Sequence, residues 1–209
     1  MGSAVAARLV ERGREVDAGD PELVLLCVPD GAIAGVAASI APGPWIAHTS
    51  GATTLAALSP HTRRFSVHPL MTFTVRRGPE QIDGASAAIT GETAEALSSA
   101  GWLARELGLE PFELADAARP LYHAGASMAS NFIVTLYRLG SRAFEIAGVP
   151  PEALVPLMRR TIENGFELTG PISRGDWATI DAHVAALSRD MPDVVPLYRA
   201  LTDATRAGR

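Results

Sequence analysis

Five short apolar runs separated by helical patterns constrain the fold of this chain more than any other feature. They lie at Leu23–Val28, Trp45–His48, Phe65–Leu70, Ala85–Thr90 and Pro111–Leu114, with helices predicted near Gly2–Arg12, Ala32–Ile40, Thr54–Leu58 and Glu92–Leu107. Runs this short suit strands rather than helices, and their alternation with amphipathic segments is the pattern of a mostly parallel sheet with helices on its faces. Leu23–Val28 is apolar at every position, as a central parallel strand buried on both faces should be. Pro29-Asp30-Gly31 stops that strand and starts the next helix.

The pattern changes after Asp116. Residues 117–148 carry Ala, Leu, Phe and Met at helical spacing with only Pro120 to interrupt them, which predicts a long, largely buried helix closed by Gly148-Val149-Pro150-Pro151. A further helix is expected over Glu152–Leu168, ended by Thr169-Gly170-Pro171. Asp176 is a suitable N-cap for a helix over Trp177–Arg189, and Met191-Pro192 leads into a last one reaching about Ala204. The expected organisation is an α/β domain over residues 1–116 and an all-helical domain over residues 117–209.

The 209 residues are 47% hydrophobic and 20% charged, ordinary for a globular protein. The net charge of −5 and the absence of a basic stripe with interleaved aromatics argue against a nucleic-acid surface. No apolar run approaches the ~20 residues that span a bilayer, and Arg8, Glu11 and Arg12 interrupt what would otherwise resemble a signal peptide. A cytoplasmic protein with no membrane partner is expected. Cys27 is the single cysteine, which excludes an intrachain disulfide and a cysteine-rich metal site; no metal is expected. All 18 basic residues are arginine. Without lysine there can be no Schiff base, P-loop phosphate lysine or lysine general acid.

The first helix has the form expected just after a dinucleotide-binding turn. Such a turn, G-x-G-x-x-G, follows a strand and opens a helix whose amides hold a pyrophosphate. Gly2 stands where the last of those glycines would be, with Ser3 beside it and no strand before it. Only Glu15–Pro21 and its neighbours separate this helix from Leu23, room for one brief strand at Arg14–Val16, so the segment that would meet an adenosine ribose is abridged.

Three clusters can carry chemistry. His48-Thr49-Ser50-Gly51 leaves a predicted strand at the edge where open α/β sheets bind ligands; it is either a ligand loop or a polar cap on the next helix. His68-Pro69-Leu70-Met71-Thr72-Phe73 also leaves a strand, as a site wall or as a hydrogen-bonded terminus. In Tyr122-His123 through Ser130-Asn131, the residues His123, Ser127 and Ser130 or Asn131 recur at three- and four-residue steps and share a helix face, whose partners are substrate, cofactor or another helix. Gly170–Asp176 reads as a turn between helices, with Arg174 free to pair with a carboxylate.

Taken in order, Val28-Pro29-Asp30, His48-Thr49-Ser50-Gly51, His68-Pro69-Leu70-x-Thr72-Phe73, Tyr122-His123 through Ser130-Asn131 and Gly170-Pro171-x-x-Arg174-Gly175-Asp176 resemble one family. It is the Rossmann-like NAD(P)-binding proteins with a C-terminal domain of unknown function, in the 6-phosphogluconate dehydrogenase C-terminal-like superfamily. The resemblance implies a truncated, mostly parallel Rossmann-like sheet followed by a helical dimerisation and substrate domain, a homodimer, and NADP or NAD as cofactor. The cofactor would lie against Gly2, Ser3, Val28, Pro29, Asp30, Ser50 and Gly51, and the substrate against His68, Thr72 and Arg174. In related β-hydroxyacid dehydrogenases a lysine stands four residues before an asparagine; that spacing places Ser127 at the lysine and Asn131 at the asparagine. Serine cannot replace an ammonium as proton donor, so His123, one turn earlier, is the expected acid/base, with Asn131 orienting substrate.

Two functions follow as expectations. One is an oxidoreductase acting on a small carbonyl, imine or hydroxyacid; the other is a non-catalytic dimeric binding protein that has lost the dinucleotide site. The opening of the chain is expected to be a true start, a misassigned start codon or, at Met1-Gly2-Ser3, a cloning scar. A strand missing beside Leu23–Val28 would lower stability and cofactor affinity unless another segment fills its place.

Overall fold

A computed structural model describes residues 1–208. Among them the chain forms a five-stranded sheet and eight α-helices. The strands are β1 (Leu23–Leu26), β2 (Trp45–His48), β3 (Arg64–Pro69), β4 (Ser86–Gly91) and β5 (Glu110–Glu113), in the spatial order β1-β2-β3-β4-β5. All neighbours pair in parallel except β3 with β4, which is antiparallel. This is the expected α/β Rossmann-like fold, a mostly parallel sheet with a helical C-terminal part.

Helices α1 (Gly2–Glu11) and α3 (Ala94–Glu106) cover one face of the sheet. Their apolar residues Ala4, Val5, Ala96, Ala100, Leu103 and Ala104 pack with Ala47, Phe65, Val67, Ala87 and Ile89 of the strands. Helix α2 (Ile33–Ser39) and a 3-10 turn at Leu55–Leu58 cover the other face, where Leu26, Ile33, Ala37, Ile46, Leu55 and Leu58 are buried together. Strand side chains alternate between faces, so Ile46 and Ala47 feed opposite layers. Burial on both sides is what makes these strands read as continuous apolar runs.

Two strand expectations change. Leu23–Val28 forms the edge of the sheet, not its centre, and pairs only from Leu23 to Leu26. Leu23 and Leu25 pack with one layer and Val24 with the other, so the apolar run reports two covered faces and carries no information about the ladder. No described segment pairs with the outer side of β1, and no strand forms at Arg14–Val16. Asp17 there takes a left-handed conformation (φ 64°), which breaks extension.

The chain divides into two compact units, residues 1–130 and residues 131 onward. Helix α4 (Arg119–Ile146) begins in the first and ends in the second. It has the expected length but is not largely buried: only Arg119 is, while Leu121, Met128 and Phe132 are 81%, 61% and 54% exposed. Apolar spacing sets which residues share a face and leaves open what covers it.

The second unit also holds α5 (Leu154–Glu163), α6 (Gly170–Arg174), α7 (Trp177–Asp190) and α8 (Val195–Ala207). Arg142 on α4 makes a bidentate pair with Asp193 (2.7 and 2.8 Å), and His183 Nδ1 lies 2.7 Å from the Tyr198 hydroxyl, linking α7 to α8. Asp176 caps α7 by accepting from the Thr179 amide at 3.2 Å, as predicted. Helix α5 ends five residues short of the expected Leu168, because Gly165 and Phe166 both turn left-handed (φ 68° and 62°). Gly170-Pro171 then opens α6 instead of closing α5; Pro171 sits in the first turn, where its missing N–H costs nothing.

Candidate active site

The carboxyl ends of β1, β2 and β3 lie at one edge of the sheet, and the loops leaving them carry the polar residues of the first unit. On β2, Ile46 and His48 face the same layer; on β3, Ser66 and His68 lie opposite Phe65 and Val67; on β4, Thr90 lies opposite Ala87 and Ile89. Register places His48 beside Ser66 and Ser66 beside Thr90, so a polar row crosses three strands.

Arg119 sits on that row, fully buried at the start of α4. Its Nη1 donates to the Ser50 carbonyl and its Nη2 to Thr90 Oγ1, both at 2.9 Å. Nη2 also donates to Ser66 Oγ, and Nε donates to Asp116 at 3.0 Å. Asp116 in turn accepts from the Leu55 amide at 3.0 and 3.1 Å, tying the Leu55–Leu58 turn to the same network. Burial pushes the guanidinium pKa down and Asp116 opposes this. Sequence reading missed Arg119; the Asp-x-x-Arg spacing ahead of a long helix was the available signal, and it is indistinguishable from an ordinary surface pair until the strands are in register.

The loop after β2 is held from both ends. The Thr49 amide donates to the Leu26 carbonyl at 3.2 Å, and Ser50 Oγ accepts from the amides of Ala52 and Thr53 at 3.2 and 2.9 Å. His48 Nδ1 accepts from the Ser50 amide at 3.2 Å, which places its proton on Nε2. Burial, with Arg119 second, pushes the His48 pKa down to about 4. Its Nε2 makes no hydrogen bond among the described residues, though the Thr54 backbone favours the protonated form.

Gly51 is the pivot of the site. A Cβ there would lie 2.7 Å from His123 Cδ2 and 2.8 Å from His68 Nε2, so only glycine lets the two imidazoles close over the loop. The His68 and His123 rings meet edge to face with centroids 6.0 Å apart. His68 Nδ1 lies 2.8 Å from the Tyr122 hydroxyl, and Tyr122 is itself edge-on to Phe112. Burial, then His123 and Arg119, lower the His68 pKa to about 4. Gly51→Ala is expected to cost about 1–3 kcal/mol through overpacking and to displace both rings; a urea midpoint and histidine side-chain spectra unchanged from wild type would contradict this.

Gly2 shows a second close approach. A Cβ on it would lie 3.1 Å from Cys27 Cβ, just past the end of β1, and the first turn of α1 carries no acidic residue. Close helix-to-strand packing is the duty of the last glycine in a dinucleotide fingerprint. Burial pushes the Cys27 thiol pKa up, as suits a packed thiol and not a nucleophile.

The structure thus brings together His48, Ser50, Gly51, His68, Tyr122 and His123 of the clusters singled out from sequence, and adds Arg119. Val28, Pro29 and Asp30 leave β1 at the same edge, and Asp30 is close enough to favour protonation of both His48 and His68. Ser3 is exposed on α1 and Thr72 is exposed in the loop after β3. Ser127 follows His123 by one turn and is half-buried; Ser130 bonds back to the Ala126 carbonyl at 2.8 Å. Asn131 and Arg174, both exposed, belong to the second unit. Among the described residues no group of three His, Cys, Asp or Glu is placed to hold a metal ion, and no helix is long and apolar enough to cross a membrane.

A family model described as a domain of unknown function, DUF2520, matches residues 85–205. Comparison with curated proteins gives no match. Among solved structures, one similar chain is a Bacteroides fragilis protein named as a candidate NADP oxidoreductase, at 18% identity and a TM-score of 0.82, covering 98% of this chain and 93% of that one. Another is a Thermotoga maritima protein at 26% identity and a TM-score of 0.70, covering 91% and 82%. A third is pyrroline carboxylate reductase from Plasmodium falciparum with NADP bound, at 11% identity and a TM-score of 0.55, covering 99% and 96%. The first and third likenesses establish the fold alone.

Proposed function

Because the chain belongs to the DUF2520 family, matched over residues 85–205, on a fold shared with NADP-linked proteins, we propose that it is an NAD(P)-dependent oxidoreductase of a small carbonyl, imine or hydroxyacid. The observation that carries this reading is Gly51, seated beneath His68 and His123 at the carboxyl edge of the sheet. Gly2 against Cys27 is a second cradle of the kind a dinucleotide needs, with the amides of α1 free of acidic neighbours. The residues therefore fit the cofactor. Gly2, Ser3, Val28, Pro29, Asp30, Ser50 and Gly51 would hold NADP or NAD, which when bound supplies or accepts the hydride.

The chain's own residues handle the proton and the substrate. His123 is the proposed acid/base, half-buried with its ring edge over Gly51, and His68 is a substrate contact beside it. On the strength of the sequence resemblance, Ser127 and Asn131 are proposed as catalytic residues with His123, Asn131 orienting substrate, and Thr72 and Arg174 as further substrate contacts. The change of pattern after Asp116 supports a domain boundary there, with a dinucleotide domain over residues 1–116 and a helical one over residues 117–209, and the composition supports a cytoplasmic protein. The resemblance supports membership of the 6-phosphogluconate dehydrogenase C-terminal-like superfamily and a homodimer formed through the helical domain.

A second reading, a dimeric binding protein without the dinucleotide, is favoured by one observation: no strand forms at Arg14–Val16, where a ribose would be met. The two readings separate in one experiment. His123→Ala is expected to lower turnover by about 10²–10⁴-fold while NADPH still binds, as followed by its fluorescence. No NADPH or NADH binding by the wild-type chain sinks the oxidoreductase and favours the binding protein.

A further inference from the structure

His68 has two nitrogens in unlike surroundings. Nδ1 is 2.8 Å from the Tyr122 hydroxyl, whereas Nε2 makes no hydrogen bond among the described residues and converges with the His123 edge over Gly51. Which atom donates to which across the Tyr122 contact decides what Nε2 offers a ligand. Arg119, one turn before Tyr122 on α4, acts electrostatically on that phenol. A fixed cation draws the oxygen lone pairs toward itself and turns the O–H away, toward Nδ1. Nδ1 is then the acceptor, and the His68 proton must reside on Nε2.

The electrostatic setting selects what Nε2 can meet. The groups facing His68 are Tyr122, His123 and Arg119 from α4, Asp30 from the loop after β1 and His48 from β2. Arg119 is a permanent buried charge whose one salt bridge among the described residues, to Asp116, is shared with the Leu55 amide. A second cation beside it is disfavoured, and an oxygen carrying or gaining negative charge is favoured.

Resting on the oxidoreductase reading above, we infer that His68 is a neutral hydrogen-bond donor to substrate oxygen, that Tyr122 is the positioning residue which fixes its Nε2–H tautomer, and that the reacting group is a carbonyl or hydroxyl, not an imine or amine. A neutral imine nitrogen would accept this bond at least as well as an oxygen, but an imine takes hydride as its protonated iminium, a cation with nothing for an N–H to bond. A carbonyl oxygen accepts from Nε2–H in its ground state and more strongly as charge develops on it. Neutrality at working pH agrees with the burial of this ring, which holds its pKa at about 4.

The tautomer is read directly, without cofactor, from long-range proton–nitrogen correlations of the full-length ¹⁵N-labelled chain. The expected result is a single Nε2–H form of His68 in the wild type and a mixture of both tautomers in Tyr122→Phe. An Nδ1–H form in the wild type overturns the proposal, as does an unmixed Nε2–H form in a folded Tyr122→Phe. For the substrate class, oxamate and proline both carry a carboxylate, but one adds a carbonyl oxygen and the other a secondary ammonium. Oxamate is expected to shift the His68 resonances at concentrations at least tenfold below those of proline; the reverse order, or no shift with either, overturns the assignment to oxygen substrates. NADPH fluorescence on the same sample reports separately: its failure removes the oxidoreductase reading, while the tautomer result tests the role of His68 itself.

Discussion

Arg119→Met is expected to lower the unfolding free energy by about 3–5 kcal/mol, the range for breaking a buried charged network from one side. The guanidinium satisfies the Ser50 carbonyl, Ser66 Oγ, Thr90 Oγ1 and Asp116 at once. Methionine has comparable length but no donors, so each of those buried or half-buried acceptors would lose its partner, and Asp116 would lose the guanidinium it pairs with. Thr90 would keep its own donation to the Leu114 carbonyl at 2.6 Å, and Leu55 would keep Asp116, so the fold should survive in weakened form. Arg119→Lys should recover little, because an ammonium has no planar fork with which to span acceptors on two strands, the loop after β2 and Asp116. Urea unfolding of both variants checks this; a loss under about 1 kcal/mol for the methionine variant would mean that the row is not held by this residue.

Acidification is expected to destabilise the chain through two histidines held neutral. The ordinary histidine value is 6.5, which the unfolded chain should show, whereas His48 and His68 are each lowered to about 4 in the fold. Their contribution is fully present above about pH 6.5, declines as pH falls and the unfolded chain binds protons first, and is gone below about pH 4. A displacement of that size corresponds to roughly 3 kcal/mol for each ring, less for His68, which is only partly buried. The urea midpoint should therefore drop steeply between about pH 6.5 and 4, and His48→Gln should flatten much of that slope. A midpoint independent of pH across this interval would show that His48 is not neutral by burial.

Trp45–His48 lies exactly where its apolar run ends, because a strand buried on both faces has no freedom to shift without exposing one of them. The other strands moved by a residue or two at their ends, and β1 lost Cys27 and Val28, since a strand stops where its neighbour's ladder does. Local chemistry that acts within a few residues, such as the Asp176 cap, was legible. The left-handed pair Gly165-Phe166 was not, because glycine announces a possible stop, whereas phenylalanine takes this conformation where its amide closes the helix end by donating to the Thr161 carbonyl at 3.0 Å.

For the site, the sequence alone determined that polar residues leave apolar strands at His48–Gly51 and His68–Thr72 and that His123 follows on a helix, because strand ends and helix faces are set by short-range periodicity. It also determined that lysine chemistry is absent. Only the tertiary structure decided that β1 is an edge, that Gly51 lies under two imidazoles contributed by β3 and α4, and that Arg119 closes a row formed by one residue from each of three strands. The physical reason is register. Which residues stand beside one another across a sheet depends on long-range pairing, and no single segment encodes that for itself.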